Sequence, residues 1–211
     1  MKNIAILFVL ALAIISCSEK QNPQKESEEV TMLKEKIAKF VPVEITYDEA
    51  LLTDREKVVL EKLYRASKII DELFLEQVYI ENYQIKSDLI SKTANKSILE
   101  REPELKPQLE LFNIMFGPFD RLEDNKPFIG KNTKPLGANF YPVDMSKEEF
   151  EKWIKDNPAD EKTFTSEFTI IRRDNGKLVA IPYSEYFKDK LTAASNLLKE
   201  AAEYSDNLSL K

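Results

Sequence analysis

The chain has 211 residues, among them no histidine and one cysteine, and its formal net charge is −6. Without imidazole it cannot supply a Ser-His-Asp triad, a Cys-His dyad or a zinc site of the usual histidine type. The acidic balance argues against nucleic acid as a partner, because phosphates are bound by basic patches. The acidic residues could bind a hard cation, but nothing focuses them, and we interpret them as solvated helix faces.

The N-terminus predicts export and a lipid anchor. An apolar run from Ile4 to Ile15 is too short to span a membrane stably. It ends in Ile14-Ile15-Ser16-Cys17, which resembles the lipobox of bacterial lipoproteins, where a small residue precedes the cleavage point and the thiol carries the lipid. We therefore predict a signal peptide over residues 1–16 and a lipidated Cys17 on the extracytoplasmic side of the cell envelope, at the inner or the outer membrane. An ordinary secretory signal with an accidental cysteine is the alternative.

Residues 17–31 are polar and predict a flexible tether, and a helical α+β domain is expected over residues 32–211. The domain opens with Phe40-Val41-Pro42-Val43-Glu44-Ile45, whose alternating apolar residues and proline predict an edge strand. Thr53-Asp54-Arg55-Glu56 has the form of a capping box. A long helix is therefore expected to begin there and to continue to about Tyr83.

Residues 117–142, the aromatic loop, are the most distinctive stretch. A helix that carries Leu105, Leu109 and Phe112 is expected to end just before this loop, at Phe116 and Gly117-Pro118. The loop contains three of the chain's four glycines and a series of aromatic residues. Because solvated loops do not carry so many aromatic side chains, the loop is expected to pack on a defined surface.

The C-terminal third predicts helix, hairpin and helix. Ser146-Lys147-Glu148-Glu149 is a second capping box, for a short helix that buries Phe150 and Trp153. Two strands, 168–173 and 177–182, flank the turn Asp174-Asn175-Gly176.

The last helix, about Ser184 to Tyr204, has a continuous apolar stripe. We expect this stripe to require a partner that the chain lacks. The hairpin must pack on the helices or on strands from elsewhere, since one hairpin is not a stable sheet. The predicted fold class is α+β, mainly helical, as an incomplete part of a larger architecture.

Charged residues of the aromatic loop predict a local ion-pair network rather than a catalytic group. Asp120-Arg121 and Asp124-Asn125-Lys126 would form it, and one residue of Arg172-Arg173 is expected to be solvated. Gly130-Lys131-Asn132-Thr133 lacks the spacing of a phosphate-binding loop and predicts an ordinary turn. Some residues of the loop could line a peptide cleft or serve packing alone, and both interpretations stay open. These candidates are Asp120, Arg121, Asn139, Phe140 and Tyr141.

Three segments carry a resemblance to bacterial zinc hydrolases related to dipeptidyl peptidase III. They are Gly117-Pro118-Phe119-Asp120-Arg121-Leu122, Asn125-Lys126-Pro127-Phe128-Ile129, and Lys134-Pro135-Leu136-Gly137-Ala138-Asn139-Phe140-Tyr141-Pro142-Val143-Asp144-Met145. The hairpin at residues 170–183 and the helix after it continue the likeness in the same order. The resemblance runs from about Phe40 to the C-terminus and indicates the N-terminal part of such an enzyme.

The resemblance implies two lobes with a cleft between them, in which zinc is held by a His-Glu-x-x-Gly-His motif and dipeptides are released from peptide N-termini. That motif is absent from this sequence, so no catalytic or metal-binding residue is carried over, and zinc is implied only for the full-length family. We expect this chain to be inactive alone.

Two functions remain open. The chain is either the non-catalytic N-terminal part of a lipid-anchored zinc hydrolase of this kind, with the C-terminal lobe missing, or a free-standing lipoprotein that binds peptides or proteins. In the first case it would form part of the scaffold or of one wall of the peptide cleft.

Overall fold

The computed structural model describes residues 27–211, which form the mainly helical α+β arrangement that the sequence predicts. The described α-helices are α1 Glu28–Ile37, α2 Asp54–Val78, α3 Asn82–Ala94, α4 Lys96–Arg101, α5 Leu105–Met115, α6 Lys147–Asp156, α7 Glu161–Phe164, α8 Tyr183–Tyr186 and α9 Lys188–Tyr204. The described strands are β1 Phe119–Asp120, β2 Lys126–Pro127, β3 Thr169–Asp174 and β4 Lys177–Pro182. They form two separate antiparallel pairs, β1 with β2 and β3 with β4.

The first helix begins earlier than the predicted domain boundary. Ser27 caps α1 by accepting a hydrogen bond from the amide of Val30, and Glu28 is already helical. The predicted division between residues 17–31 and 32–211 therefore falls inside α1. The predicted signal peptide, residues 1–16, and Cys17 lie outside the described residues. Across residues 27–211, no helix combines the length and apolarity that a membrane crossing requires.

Helix α2 begins as predicted and ends earlier than predicted. The capping box is present, because the Thr53 hydroxyl accepts from the Glu56 amide while the Glu56 carboxylate accepts from the Thr53 amide. At the other end Tyr79 is extended, with φ −161° and ψ 133°, so α2 stops at Val78 and not near Tyr83.

The partner of the last helix lies within this chain, which corrects the expectation of a missing partner. Helices α2 and α9 run antiparallel, since Arg55 pairs with Asp206 and Lys62 pairs with Glu200 at 2.6 Å. Small and apolar side chains of α9 are buried in this pairing. The predicted single helix is also interrupted at Phe187, where α8 gives way to α9.

Helices α1, α3 and α5 enclose the main apolar cluster, in which Leu33, Leu111 and Phe112 have no exposed surface. Helix α5 ends as predicted. Phe116 takes the left-handed conformation at φ 55°, and Gly117 follows it.

The predicted hairpin is confirmed as β3 and β4. Asn175 and Gly176 both have positive φ, 46° and 78°, as a two-residue hairpin turn requires. Ile170 packs against α2 and Phe187, whereas Ile171 packs near α6 and α7. The hairpin is thus supported by the helices of this chain.

The predicted edge strand at residues 40–45 is wrong as a paired strand. Residues 41–47 make no backbone–backbone hydrogen bond within the described part of the chain. Val41, Val43 and Ile45 are 80%, 79% and 91% exposed, so the alternating pattern does not face the core.

Candidate functional site

The aromatic loop closes over the C-terminal end of α2. A helix leaves its last four carbonyls without helical partners, and in α2 three of these four find asparagine donors. The side-chain amide of Asn82 donates to the Leu75 carbonyl at 2.8 Å. Asn139 donates its side-chain amide to Glu76 at 2.9 Å and its backbone amide to Gln77 at 3.0 Å. A loop residue thus fixes where this helix ends.

Asn139 is buried and connects the loop to strand β3. Its backbone carbonyl and its Oδ1 both accept from Nη2 of Arg172, at 2.9 and 3.0 Å. The same guanidinium donates to the Tyr186 hydroxyl and lies over the Tyr186 ring, 4.9 Å from its centroid. Arg172 therefore connects parts of the fold to each other. Its neighbour Arg173 pairs with Glu149 at 2.7 Å. The prediction that one of these arginines is solvated is confirmed, because Arg173 is exposed.

Asp120 has a partner far along the chain instead of the predicted local network. Its carboxylate is buried and accepts from the Lys36 ammonium of α1 at 2.6 Å and from the Leu122 amide at 2.9 Å. Glu123 binds the same ammonium at 2.8 Å. Burial acts to raise the pKa of Asp120, but Lys36 and the Leu122 amide outweigh it, and the pKa lies below its usual value. This ion pair attaches the loop to α1.

Arg121 points away from that ion pair. Its guanidinium lies over the ring of Phe74 on α2, 5.2 Å from the centroid. Burial lowers the pKa of Arg121. The turn that follows is tight, with Asp124 and Asn125 both at positive φ, 51° and 58°.

Phe140 and Tyr141 connect the loop to the C-terminal elements. The Phe140 carbonyl accepts from the Ile171 amide at 2.8 Å, and its ring stacks with that of Tyr183 at 6.3 Å. Tyr141 meets Phe150 edge to face, with the ring centroids 5.8 Å apart. Both side chains are half-buried.

The structure therefore divides the five candidates into two groups. Asp120 and Asn139 are buried and hydrogen-bonded within the fold, whereas Arg121 and Phe140 line a cavity of about 420 Å³ beside the end of α2. Tyr141 lines a different cavity of about 500 Å³, between the loop and α6.

Sequence reasoning missed Lys36 and Lys134, and it assigned no contact to Arg172. Lys36 lies on a helix one turn from the buried Leu33, and this position on the inner face is the signal that could have found it. For Lys134, which lines the cavity with Arg121, no pattern in the sequence distinguishes it from a surface lysine.

A zinc ion does not fit the residues that the structure describes. The sequence has no histidine, and within residues 27–211 no group of three or more acidic or cysteine side chains could hold a metal ion.

The comparisons place this geometry among known proteins. No family model matches the sequence. The structure is similar to that of DPP III from Caldithrix abyssi, with 57% identity and a TM-score of 0.77 over 84% of this chain and 32% of that one. It is also similar to dipeptidyl-peptidase III from Corallococcus sp. strain EGB, with 36% identity and a TM-score of 0.77 over 86% of this chain and 33% of that one.

A plant protein, Nudix hydrolase 3 of Arabidopsis thaliana, is 27% identical to this chain in an alignment 229 positions long, which covers 85% of this chain and 29% of that protein. The activity in its name belongs to that protein and is not transferred here.

Sequence and fold together define a dipeptidyl-peptidase-III-like polypeptide, and the resemblance expected from the sequence is confirmed. The chain spans about a third of the length of the proteins it matches. It has part of the fold of a zinc-dependent family, its sequence has no histidine, and residues 27–211 contain no group of side chains that could hold a metal ion.

Proposed function

We propose that this chain is a non-catalytic structural part of a dipeptidyl-peptidase-III-like zinc hydrolase and forms one wall of its peptide cleft. The observation that carries the proposal is the 57% identity to DPP III from Caldithrix abyssi. The match covers 84% of this chain but only 32% of that enzyme. Since the sequence has no histidine, the zinc ligands and the catalytic water would come from the remaining two thirds of such an enzyme.

One exposed segment supports a role within a larger fold. Residues 41–47 form no helix or strand, have no backbone partners in residues 27–211, and carry apolar side chains that face solvent. Backbone groups without partners, next to exposed apolar side chains, are a template for another strand. We expect it to pair with a strand from the rest of the enzyme.

The aromatic loop supports the cleft-wall role. Two cavities flank it, one beside Arg121 and Phe140 and the other beside Tyr141. The backbone around both is fixed by Asn139 to α2 and by Asp120 to α1. A rigid surface of this kind suits a substrate wall, because its groups are held in place before a peptide arrives.

Fragment complementation tests the proposal. The full chain is mixed with the part of the Caldithrix abyssi enzyme that it does not match, and the release of dipeptides from a peptide N-terminus is measured. Activity is expected only in the mixture and only with zinc. Activity of the enzyme part alone would contradict a structural need for this chain, and an inactive mixture would favour the free-standing binding module.

A charged pair of substitutions examines the exposed segment in the same assay. Val43→Asp with Ile45→Asp should reduce the complemented activity, because a strand that docks there would bury two carboxylates. The stability of the chain alone should not change, since both side chains face solvent. Leu208→Asp, at an 88% exposed position near the C-terminus, is the matched control.

Lipid attachment at Cys17 is a second part of the proposal and rests on the Ile14-Ile15-Ser16-Cys17 motif. A chain expressed in bacteria fed radiolabelled palmitate should carry the label and sediment with membranes. Cys17→Ser should abolish both. A variant that still sediments with membranes would show that another feature attaches the chain.

A further inference from the structure

One guanidinium differs from the others in its surroundings. Arg121 is the one arginine among residues 27–211 whose guanidinium donates no hydrogen bond, and its contact is the face of Phe74. The other five donate to carboxylates, carbonyls or a hydroxyl. These are Arg55, Arg65, Arg101, Arg172 and Arg173.

The cavity beside Arg121 is lined by cationic, amide and apolar side chains. Arg121 and Lys134 supply two positive charges, and the side chains of Gln77 and Asn125 supply amides. Among the described residues no acidic side chain lines the cavity, although the whole sequence has a net charge of −6. The remaining lining is apolar, from Phe74, Val78, Ala138 and Phe140.

We propose that this cavity binds a carboxylate group of a peptide, with an apolar side chain next to that carboxylate against the aromatic rings. Guanidinium presents a planar fork of donors that matches the two oxygens of a carboxylate. The Arg121 guanidinium lies over the Phe74 ring, and Lys134, which lines the same cavity, adds a second positive charge. The carboxylate is either a peptide C-terminus or an acidic side chain.

The electrostatics of Arg121 agree with this assignment. Burial lowers its pKa, and no carboxylate among the described residues offsets that cost. A bound carboxylate would replace the water that the guanidinium has lost. The inference concerns this chain by itself and does not require that it completes an enzyme.

Binding of three short peptides to the full chain tests the proposal. The probes are acetyl-Ala-Ala-Phe with a free carboxylate, the same peptide as a C-terminal amide, and acetyl-Ala-Glu-Phe amide. Titration calorimetry gives the affinities, and the Nε–Hε signal of Arg121 in NMR spectra reports on the site. The free acid should bind at least about 10-fold more tightly than the amide, because a charge-assisted hydrogen bond is lost.

The third peptide separates the two sources of the carboxylate. If the glutamate amide binds as well as the free acid, the cavity accepts a carboxylate from either source. If it binds as weakly as the plain amide, the C-terminus is the ligand, and if it alone binds tightly, an acidic side chain is the ligand. Equal binding of all three peptides, or no binding of any, would overturn the proposal.

Variants locate the binding. Arg121→Met and Lys134→Met should each weaken binding of the preferred peptide by about 10-fold or more, and both should fold, since Arg121 is exposed and Lys134 is half-buried. Arg101→Met, at an exposed arginine that donates only to Ser97 within α4, should bind as the unaltered chain does. An Arg121→Met variant with full affinity and an unaltered circular dichroism spectrum would refute the site.

Discussion

Nη2 of Arg172 donates to two oxygens of Asn139, the backbone carbonyl at 2.9 Å and the side-chain Oδ1 at 3.0 Å. Asn139 itself donates its side-chain amide to the Glu76 carbonyl and its backbone amide to the Gln77 carbonyl. One buried asparagine therefore joins the end of α2, the aromatic loop and strand β3, and both the oxygen and the nitrogen of its side-chain amide are hydrogen-bonded.

Replacement of Asn139 should destabilise the chain strongly. Asn139→Ala removes the donor to Glu76 and one acceptor of Arg172 in a buried position, so we expect the free energy of unfolding to fall by about 2 to 4 kcal/mol. Urea unfolding followed by circular dichroism measures it. Asn113→Ala, at an exposed position of α5, should change the stability by less than about 0.5 kcal/mol. Similar losses in the two variants would contradict the role of Asn139.

Asn139 and Arg172 should also be energetically coupled. A double-mutant cycle with Asn139→Ala and Arg172→Met should show a coupling energy of about 1 to 3 kcal/mol, because the first change removes the Oδ1 acceptor of Arg172 and the second removes the donor to that Oδ1. Arg172 keeps its contacts with Tyr186 in the first variant, so the coupling reports on the pair. Strictly additive losses would mean that the two residues stabilise separate parts of the fold.

Elements that depend on neighbouring residues were predictable from the sequence. The hairpin turn needs positive φ at two positions, and Asn175-Gly176 provides it. The capping box at Thr53 and the end of α5 at Phe116 also involve residues within a few positions of each other. Each of these signals is local, and each was confirmed.

Contacts between distant residues were not predictable in the same way. The end of α2 is set in part by Asn139, which is 63 residues beyond its acceptor Glu76. Lys36 and Asp120 are 84 residues apart, and a local partner for Asp120 was the simplest expectation. Which charges meet depends on how α1 packs against the loop, and no periodicity in the sequence encodes that choice. The exposed segment at residues 41–47 has the pattern of a strand, but a pattern does not specify a partner.

The Lys36–Asp120 pair should make stability depend on pH in acid. The pKa of Asp120 is lowered from its ordinary 3.8. The contribution of the ionised carboxylate to the free energy of unfolding is therefore complete above pH 3.8 and is lost as the pH falls through the lowered pKa. At pH 7, Asp120→Asn should cost about 3 kcal/mol, because the buried Lys36 loses a charged partner. The difference from the unaltered chain should shrink below about pH 4.

Urea unfolding of both proteins between pH 3 and pH 7 measures this dependence. Asp124→Asn, four positions further along the loop and exposed, is the control and should lie within about 0.5 kcal/mol of the unaltered chain at pH 7. A cost of Asp120→Asn that stays constant down to pH 3 would show that the lost charge is not its cause.

Gly137 should not tolerate a side chain, because a Cβ there would lie 2.7 Å from Cδ2 of Tyr141. We expect Gly137→Ala to cost about 1 to 3 kcal/mol from overpacking, measured by thermal unfolding. In a Tyr141→Ala background that penalty should fall, since the clashing ring is gone. Gly130→Ala is the comparison: its Cβ would meet nothing within 4 Å, but φ is +72°, so it should cost about 1 kcal/mol from left-handed strain, and Tyr141→Ala should not relieve that cost.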